Sequence, residues 1–185
     1  MPRTDRLNNL VQVARELFSA LGYDNVGMRQ ICMQAGLSPV QAYRLGLSKS
    51  DLLAEVSIDL TNKQLDTITQ HIKSHARENV FAFTQRYLTQ LYASDIEHIA
   101  IRKESAAYGW MWSNIYEQRI VGQVMQILAP IHDLLTRRSY DNVEARCLGI
   151  WSLYYVGFRS AVTAGANPED CFKYIGESVR LLLKR

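Results

Sequence analysis

The chain has 185 residues, 48% of them apolar and 21% charged, values of a globular protein that can bury a core without disulfide staples. Its three cysteines, Cys32, Cys147 and Cys171, are odd in number and widely separated, which argues against a disulfide framework or a CxxC metal site and points to reduced thiols in the cytoplasm. The net charge is +3, and residues 1–50 carry all of the excess, with six basic side chains against three acidic ones.

The first element runs from Asp5 to Leu21, where Leu7, Leu10, Val11, Ala14, Leu17, Phe18 and Leu21 keep helical spacing and Gly22 supplies the stop. Asn25 is the expected N-cap of the next helix. In that helix Met28, Ile31, Cys32 and Ala35 form one apolar stripe. Gly36 ends it at a position that favours positive φ, and Leu37 turns inward. Ser38-Pro39 then opens a brief helix with an N-cap hydroxyl and a proline at N1. This helix carries Val40, Gln41, Tyr43 and Arg44, side chains better suited to touching a partner than to filling a core. Two short helices around a glycine turn make a helix-turn-helix, in the part of the chain that holds the positive excess.

Leu45-Gly46-Leu47 breaks the pattern, and Ser48-Lys49-Ser50-Asp51 is a capping-box variant ahead of Leu52, Leu53, Val56 and Leu60. A long helix is expected from there to about His75. Helical patterns follow over about 79–93, 95–108 and 110–138, and Pro130 predicts a kink near Ile127 in the last of them. The stretch 142–164 is apolar around most of its girth, and Gly165-Ala166-Asn167-Pro168-Glu169-Asp170 joins it to a final amphipathic helix. No strand signals appear, and no apolar run is long enough for a membrane span. The expected fold is all-α with about nine helices. Residues 1–50 form a helix-turn-helix domain, and 51–185 form a helical ligand-binding and dimerisation domain. The helices at about 142–164 and 168–184 are expected to pair with their copies as a homodimer, with Gly149, Gly157 and Gly176 allowing close approach.

Leu17-Phe18, Gly22-Tyr23, Ile31, Ala35-Gly36-Leu37-Ser38, Tyr43 and Ser48-Lys49 followed by Leu52-Leu53 resemble, in order and spacing, the DNA-binding domain of the TetR family of bacterial transcriptional regulators. The resemblance covers about 50 residues, and the remainder agrees in layout. Three departures stand out. Val26 lies where the family commonly has Thr, Val40 where it often has Gly, and Leu45-Gly46 where it often has His-Phe. The last removes an aromatic anchor beneath the recognition helix, a space that Leu45 or Leu47 is left to fill.

The resemblance implies a ligand-responsive regulator, most simply a repressor that binds a near-palindromic double-stranded DNA operator as a dimer. By position, Pro39, Val40 and Arg44 would face base edges, with Gln41 at bases or backbone. Tyr43 and Lys49 would contact phosphates, and Arg3, Arg29 and Ser38 would add backbone contacts. The chemistry suits these roles, since Arg binds guanine bidentately, Gln pairs with adenine and Val packs on a thymine methyl. An aromatic-rich middle section, with Trp110 and Met111 among it, gives Arg102, Trp112, Tyr116, Trp151 and Tyr155 as candidates for the pocket of a small apolar or aromatic effector, though core packing explains them as well. No cofactor or metal is implied. A helical dimeric adaptor that has lost DNA binding is the alternative. An enzyme is less favoured, because catalytic motifs are absent and His71 and His75 lack a third ligand.

Overall fold

The computed structural model describes residues 3–71, 78–112 and 114–185, and these are helical nearly throughout. In chain order the helices are α1 (Arg3–Leu21), α2 (Met28–Gln34), α3 (Pro39–Tyr43), α4 (Lys49–His71), α5 (Val80–Glu97), α6 (Ile99–Tyr108), α7 (Asn114–Arg137), α8 (Val143–Ala164) and α9 (Pro168–Leu182), with a 3-10 turn at Gly109–Met111. Among the described residues no strand occurs and no helix is long and apolar enough to cross a membrane. The expected end of α4 near His75 lies outside the described residues. The helix α7 continues through Pro130, and one carbonyl of the turn before the proline, that of Ile127, accepts a bond from Tyr87 Oη at 2.5 Å.

The chain forms two compact units. The first comprises residues 1–62 and 98–121, and the second 63–97 and 122–185. The first unit therefore holds more than the segment 1–50, because it also takes in α6 and the start of α7. The reason is apolar: Ile101 of α6 is fully buried in one cluster with Leu10, Phe18, Ile31, Leu52 and Val56, and Tyr108 and Trp112 pack on its edge. Tyr23 ties the cluster together, its ring 5.1 Å from Phe18 and 5.0 Å from Tyr108.

In the second unit α9 packs on α8 and α5. The rings of Tyr92 and Tyr154 stack at 4.4 Å and 7°, Tyr92 Oη donates to Tyr154 O, and Tyr154 Oη donates to Asp95 Oδ2 at 2.7 Å. Gln64 Nε2 donates to the other oxygen of Asp95 at 3.0 Å, so this half-buried carboxylate is satisfied from two helices. The start of α9 follows the expected chemistry, with Asn167 Oδ1 accepting from Asp170 N at 2.9 Å and Pro168 at N1.

The glycines of α8 correct the sequence reading. A Cβ on Gly149 would meet Leu182 Cδ1 at 2.9 Å, and one on Gly157 would fall on Tyr92 Oη and lie 2.9 Å from Cys171 O. Both glycines thus serve the packing of α8 within its own chain. The outer face of α8 instead exposes Leu148, Tyr155, Val156 and Val162, and α9 exposes Tyr174 and Leu181.

Candidate nucleic-acid interface

Helix α2 starts without the cap expected from Asn25. Its N-cap is Gly27, which offers no side chain, whereas Asn25 Nδ2 donates to Leu21 O at 2.9 Å and satisfies the end of α1. The glycine turn has the expected geometry. Gly36 has φ +67°, Leu37 N bonds to Cys32 O at 2.9 Å, and Asn9 Nδ2 of α1 donates to Ala35 O at 2.9 Å. The turn is thus fixed from both its own backbone and the neighbouring helix.

Helix α3 is closed by a reciprocal capping box. Gln41 N donates to Ser38 Oγ at 3.2 Å, and Ser38 N donates to Gln41 Oε1 at 2.8 Å. A one-and-a-half-turn helix has almost no stability of its own, so this box and the burial of Ala42 hold it. The S-x-x-Q signal is present in the sequence, and it gives Gln41 a structural role beside the DNA contact expected of it. Its side-chain carbonyl is committed to the cap, although the residue as a whole is exposed. The same device at Ser48 and Asp51 follows expectation, with Ser48 N to Asp51 Oδ2 at 2.7 Å and Asp51 N to Ser48 Oγ at 3.1 Å.

Of the nine residues assigned to DNA, Arg29, Ser38, Val40, Gln41 and Arg44 are exposed, and Val40 is 61% exposed. Val40, Gln41 and Arg44 share the short span of α3 and its C-cap. Here an exposed apolar side chain stands beside two long polar ones. The side chains of Arg3, Pro39 and Tyr43 lie outside the described residues. Lys49 is half-buried: its Nζ donates to Tyr23 O at 2.9 Å and sits 4.0 Å from the centre of the Tyr23 ring. Tyr23 is itself buried, and that burial, followed by the nearby Tyr108, Asp24 and Glu104, pushes its hydroxyl up to about 12. The ring beside Lys49 therefore stays neutral at physiological pH.

The turn after α3 bears on the missing aromatic anchor. Gly46 is exposed, with φ +72° and nothing within 4 Å of where a Cβ would stand. Leu45 and Leu47, on either side, pack against the core of the first unit. The left-handed backbone at Gly46 turns both leucines inward, and an L-aromatic there would be strained. Gly46→Ala is expected to destabilise the first unit by about 1 kcal/mol, read as a lower melting temperature.

The effector candidates divide between the units. In the first, Arg102 Nη1 donates to Thr61 Oγ1 at 2.9 Å, Trp112 Nε1 donates to Ser50 Oγ at 3.2 Å, and Tyr116 is buried with Ala54 and Ile58. In the second, Trp151 lies 5.1 Å from Tyr155 and edge-on to it, both on α8. Trp110 and Met111 are 95% and 78% exposed and line no interior. Among the described residues no group of three His, Cys, Asp or Glu is arranged to hold a metal, and the side chains of His71 and His75 are outside that set.

Residues 10–56 match the model of the N-terminal domain of the bacterial regulatory proteins of the tetR family. Solved structures with the same fold include a TetR-family transcriptional regulator from Pectobacterium atrosepticum, 21% identical with TM-score 0.66, covering 98% of this chain and 93% of the other. A bacterial regulatory protein of the tetR family from Rhodococcus RHA1 is 18% identical with TM-score 0.66 and 96% coverage of each chain. The transcriptional regulator FadR from Bacillus subtilis, in complex with stearoyl-CoA, is 16% identical with TM-score 0.66, covering 96% of this chain and 97% of that one. No curated protein sequence matches the chain. Residues 10–56 are thus similar to the N-terminal domain of the tetR family of bacterial regulatory proteins, and the described helices share the all-α fold of the solved regulators.

Proposed function

We propose that the protein is a cytoplasmic repressor that binds a near-palindromic operator as a homodimer and leaves it when a small apolar or aromatic ligand binds. The observation that carries this reading is the exposed face of α3, where Val40, Gln41 and Arg44 project from a helix held by its capping box. A helix so short gains nothing from exposing valine to solvent, but a thymine methyl in the major groove would bury it, beside base edges within reach of Arg44 and Gln41. Arg29, Lys49, Tyr43, Pro39, Ser38 and Arg3 would supply positioning contacts to the backbone. Two copies would set their recognition helices about 34 to 36 Å apart, one turn of duplex.

The effector would act through the helices that carry Arg102, Trp112, Tyr116, Trp151 and Tyr155. FadR is a relative solved with an acyl-CoA, which favours ligands with a long apolar part. Such a ligand shifts the equilibrium only by its preference for the form that does not fit DNA. Because α6 shares a core with the helix-turn-helix, a displacement of α6 is the simplest route by which it would reach the reading head.

The reading is tested on the DNA flanking the protein's own gene. Arg44→Ala is expected to cost about 1 to 3 kcal/mol at one base position and to relax specificity there, while Lys49→Ala weakens all sequences alike and flattens the salt slope by about one unit. Lys49→Ala also removes a bond and a cation–π contact to Tyr23, so its melting temperature falls as well. Equal losses on operator and random DNA for Arg44→Ala would refute the assignment. No retardation of any duplex at low salt would favour the adaptor.

A further inference from the structure

Within the second unit an open cleft of about 440 Å³ lies between the start of α5, the turn after α7 and the end of α9. Among the described residues four cationic side chains line it, Arg138, Arg180, Lys184 and Arg185, against one side-chain carboxylate, Glu78. That carboxylate is already engaged by Arg86, which is outside the lining, through Nη2 at 2.9 Å and Nε at 3.2 Å. Two of these cations lie beside aromatic rings. Arg180 Cζ stands 4.1 Å from the centre of the Phe81 ring, Arg185 Cζ stands 5.2 Å from that of Tyr140, and Arg185 Nη2 donates to Arg138 O at 2.6 Å. The carboxylate beside Arg180, Glu177, meets its Nε at 3.4 Å in an exposed pair, which contributes little. Arg146 donates to Lys184 O at 2.7 Å and to Leu182 O, fixing the segment that carries Lys184.

Like charges gathered in a concavity repel one another, and a bound anion relieves that cost. Guanidinium groups beside rings offer forked donors that match phosphate oxygens, and pyrophosphate concentrates more charge in a smaller volume than a carboxylate ligand does. The cleft is also roomier than one phosphate requires. We propose that it binds a small phosphorylated ligand, whose phosphate groups are taken by Arg180, Lys184 and Arg185. This site is separate in residues from the effector candidates and from the DNA-reading face, and it does not depend on either.

The test is calorimetric titration of the full-length protein with inorganic pyrophosphate at low salt, with citrate as the carboxylate comparison. Saturable binding of one pyrophosphate per chain is expected, with citrate at least tenfold weaker. Arg180→Gln/Lys184→Gln is expected to lose at least tenfold in pyrophosphate affinity, while Lys173→Gln on the same helix and Arg44→Ala leave it unchanged. If the double variant fails to melt cooperatively, Arg180→Lys, which keeps the charge and loses the fork, is expected to bind severalfold more weakly. The proposal is overturned by no saturable heat with pyrophosphate, by citrate binding as tightly, by unchanged affinity in the cleft variant that folds, or by equal losses in Lys173→Gln or Arg44→Ala.

Discussion

Gly157→Ala is expected to destabilise the protein by about 3 kcal/mol, the upper end of what overpacking of a tight core costs. The added methyl would fall on Tyr92 Oη and 2.9 Å from Cys171 O. The first obstacle is a side chain, but it is pinned between the stacked ring of Tyr154 and the bond from its hydroxyl to Tyr154 O at 3.0 Å. The second is backbone of α9 and moves only with the helix. Gly149→Ala is the informative contrast. Its methyl would meet the flexible end of Leu182, so a loss of about 1 kcal/mol is expected, at the low end of the overpacking range. Removing the Tyr92 hydroxyl should cost about 1 kcal/mol by itself through its lost bond. In the Gly157→Ala background the same change should recover only part of the loss, because it removes the nearest clashing atom while Tyr92 Cζ and Cys171 O remain 2.9 Å from the added methyl. Thermal melts of the three single variants and Tyr92→Phe/Gly157→Ala measure that coupling. A Gly157→Ala protein within 0.5 kcal/mol of the parent, roughly the scatter of neutral surface changes, would mean that α8 does not pack on α5 and α9 as described.

The contrast between these glycines shows where local sequence stops being informative. Periodicity placed Gly149 and Gly157 on one face of α8, and that is where they are; which neighbour the face meets depends on how α5 and α9 close on it, which spacing along α8 does not encode. Caps were legible when a side chain and its target lie within three residues, as at Ser48 and Asp51 or Asn167 and Asp170. Asn25 misled because an Asn between two helices can end one or begin the other, and here it bonds back to Leu21 O. Lys49 was legible as a cation near the reading head, but its bond to Tyr23 O, 26 residues away, was not. The basic cleft of the second unit escaped for the same reason. Its cations come from the end of α7 and the end of α9, where each reads as ordinary solvated charge, and only the fold brings them together around Phe81 and Tyr140.

The largest functional effect is expected from the outer face of α8. Leu148, Trp151, Tyr155 and Val162 follow one another at intervals of three, four and seven residues, a single stripe along a helix. Leu148 is 65% exposed and Tyr155 46%, although the opposite face, with Ile150, Tyr154 and Phe158, is fully engaged within the chain. On α9, Tyr174 and Leu181 add two more exposed apolar side chains. Exposed apolar side chains of this kind are costly on a monomer, and in the proposed homodimer a two-fold axis would bring each stripe against its own copy. Leu148→Glu/Tyr155→Glu would place two carboxylates from each copy at such a contact, where burial without partners is strongly unfavourable. Each residue is on the solvent side of its own chain, so the variant should melt as a folded monomer. With one reading head instead of two, it loses the effective concentration that joins the half-sites, and affinity for a full operator is expected to fall by about 10² to 10⁴. Affinity for an isolated half-site should stay unchanged, which separates loss of pairing from damage to α3. Sedimentation equilibrium and mobility shift on the same protein read the two halves of this prediction. A parent chain that is already monomeric at micromolar concentration, or a double glutamate variant that remains dimeric, would place the dimer contact on a different surface of the molecule.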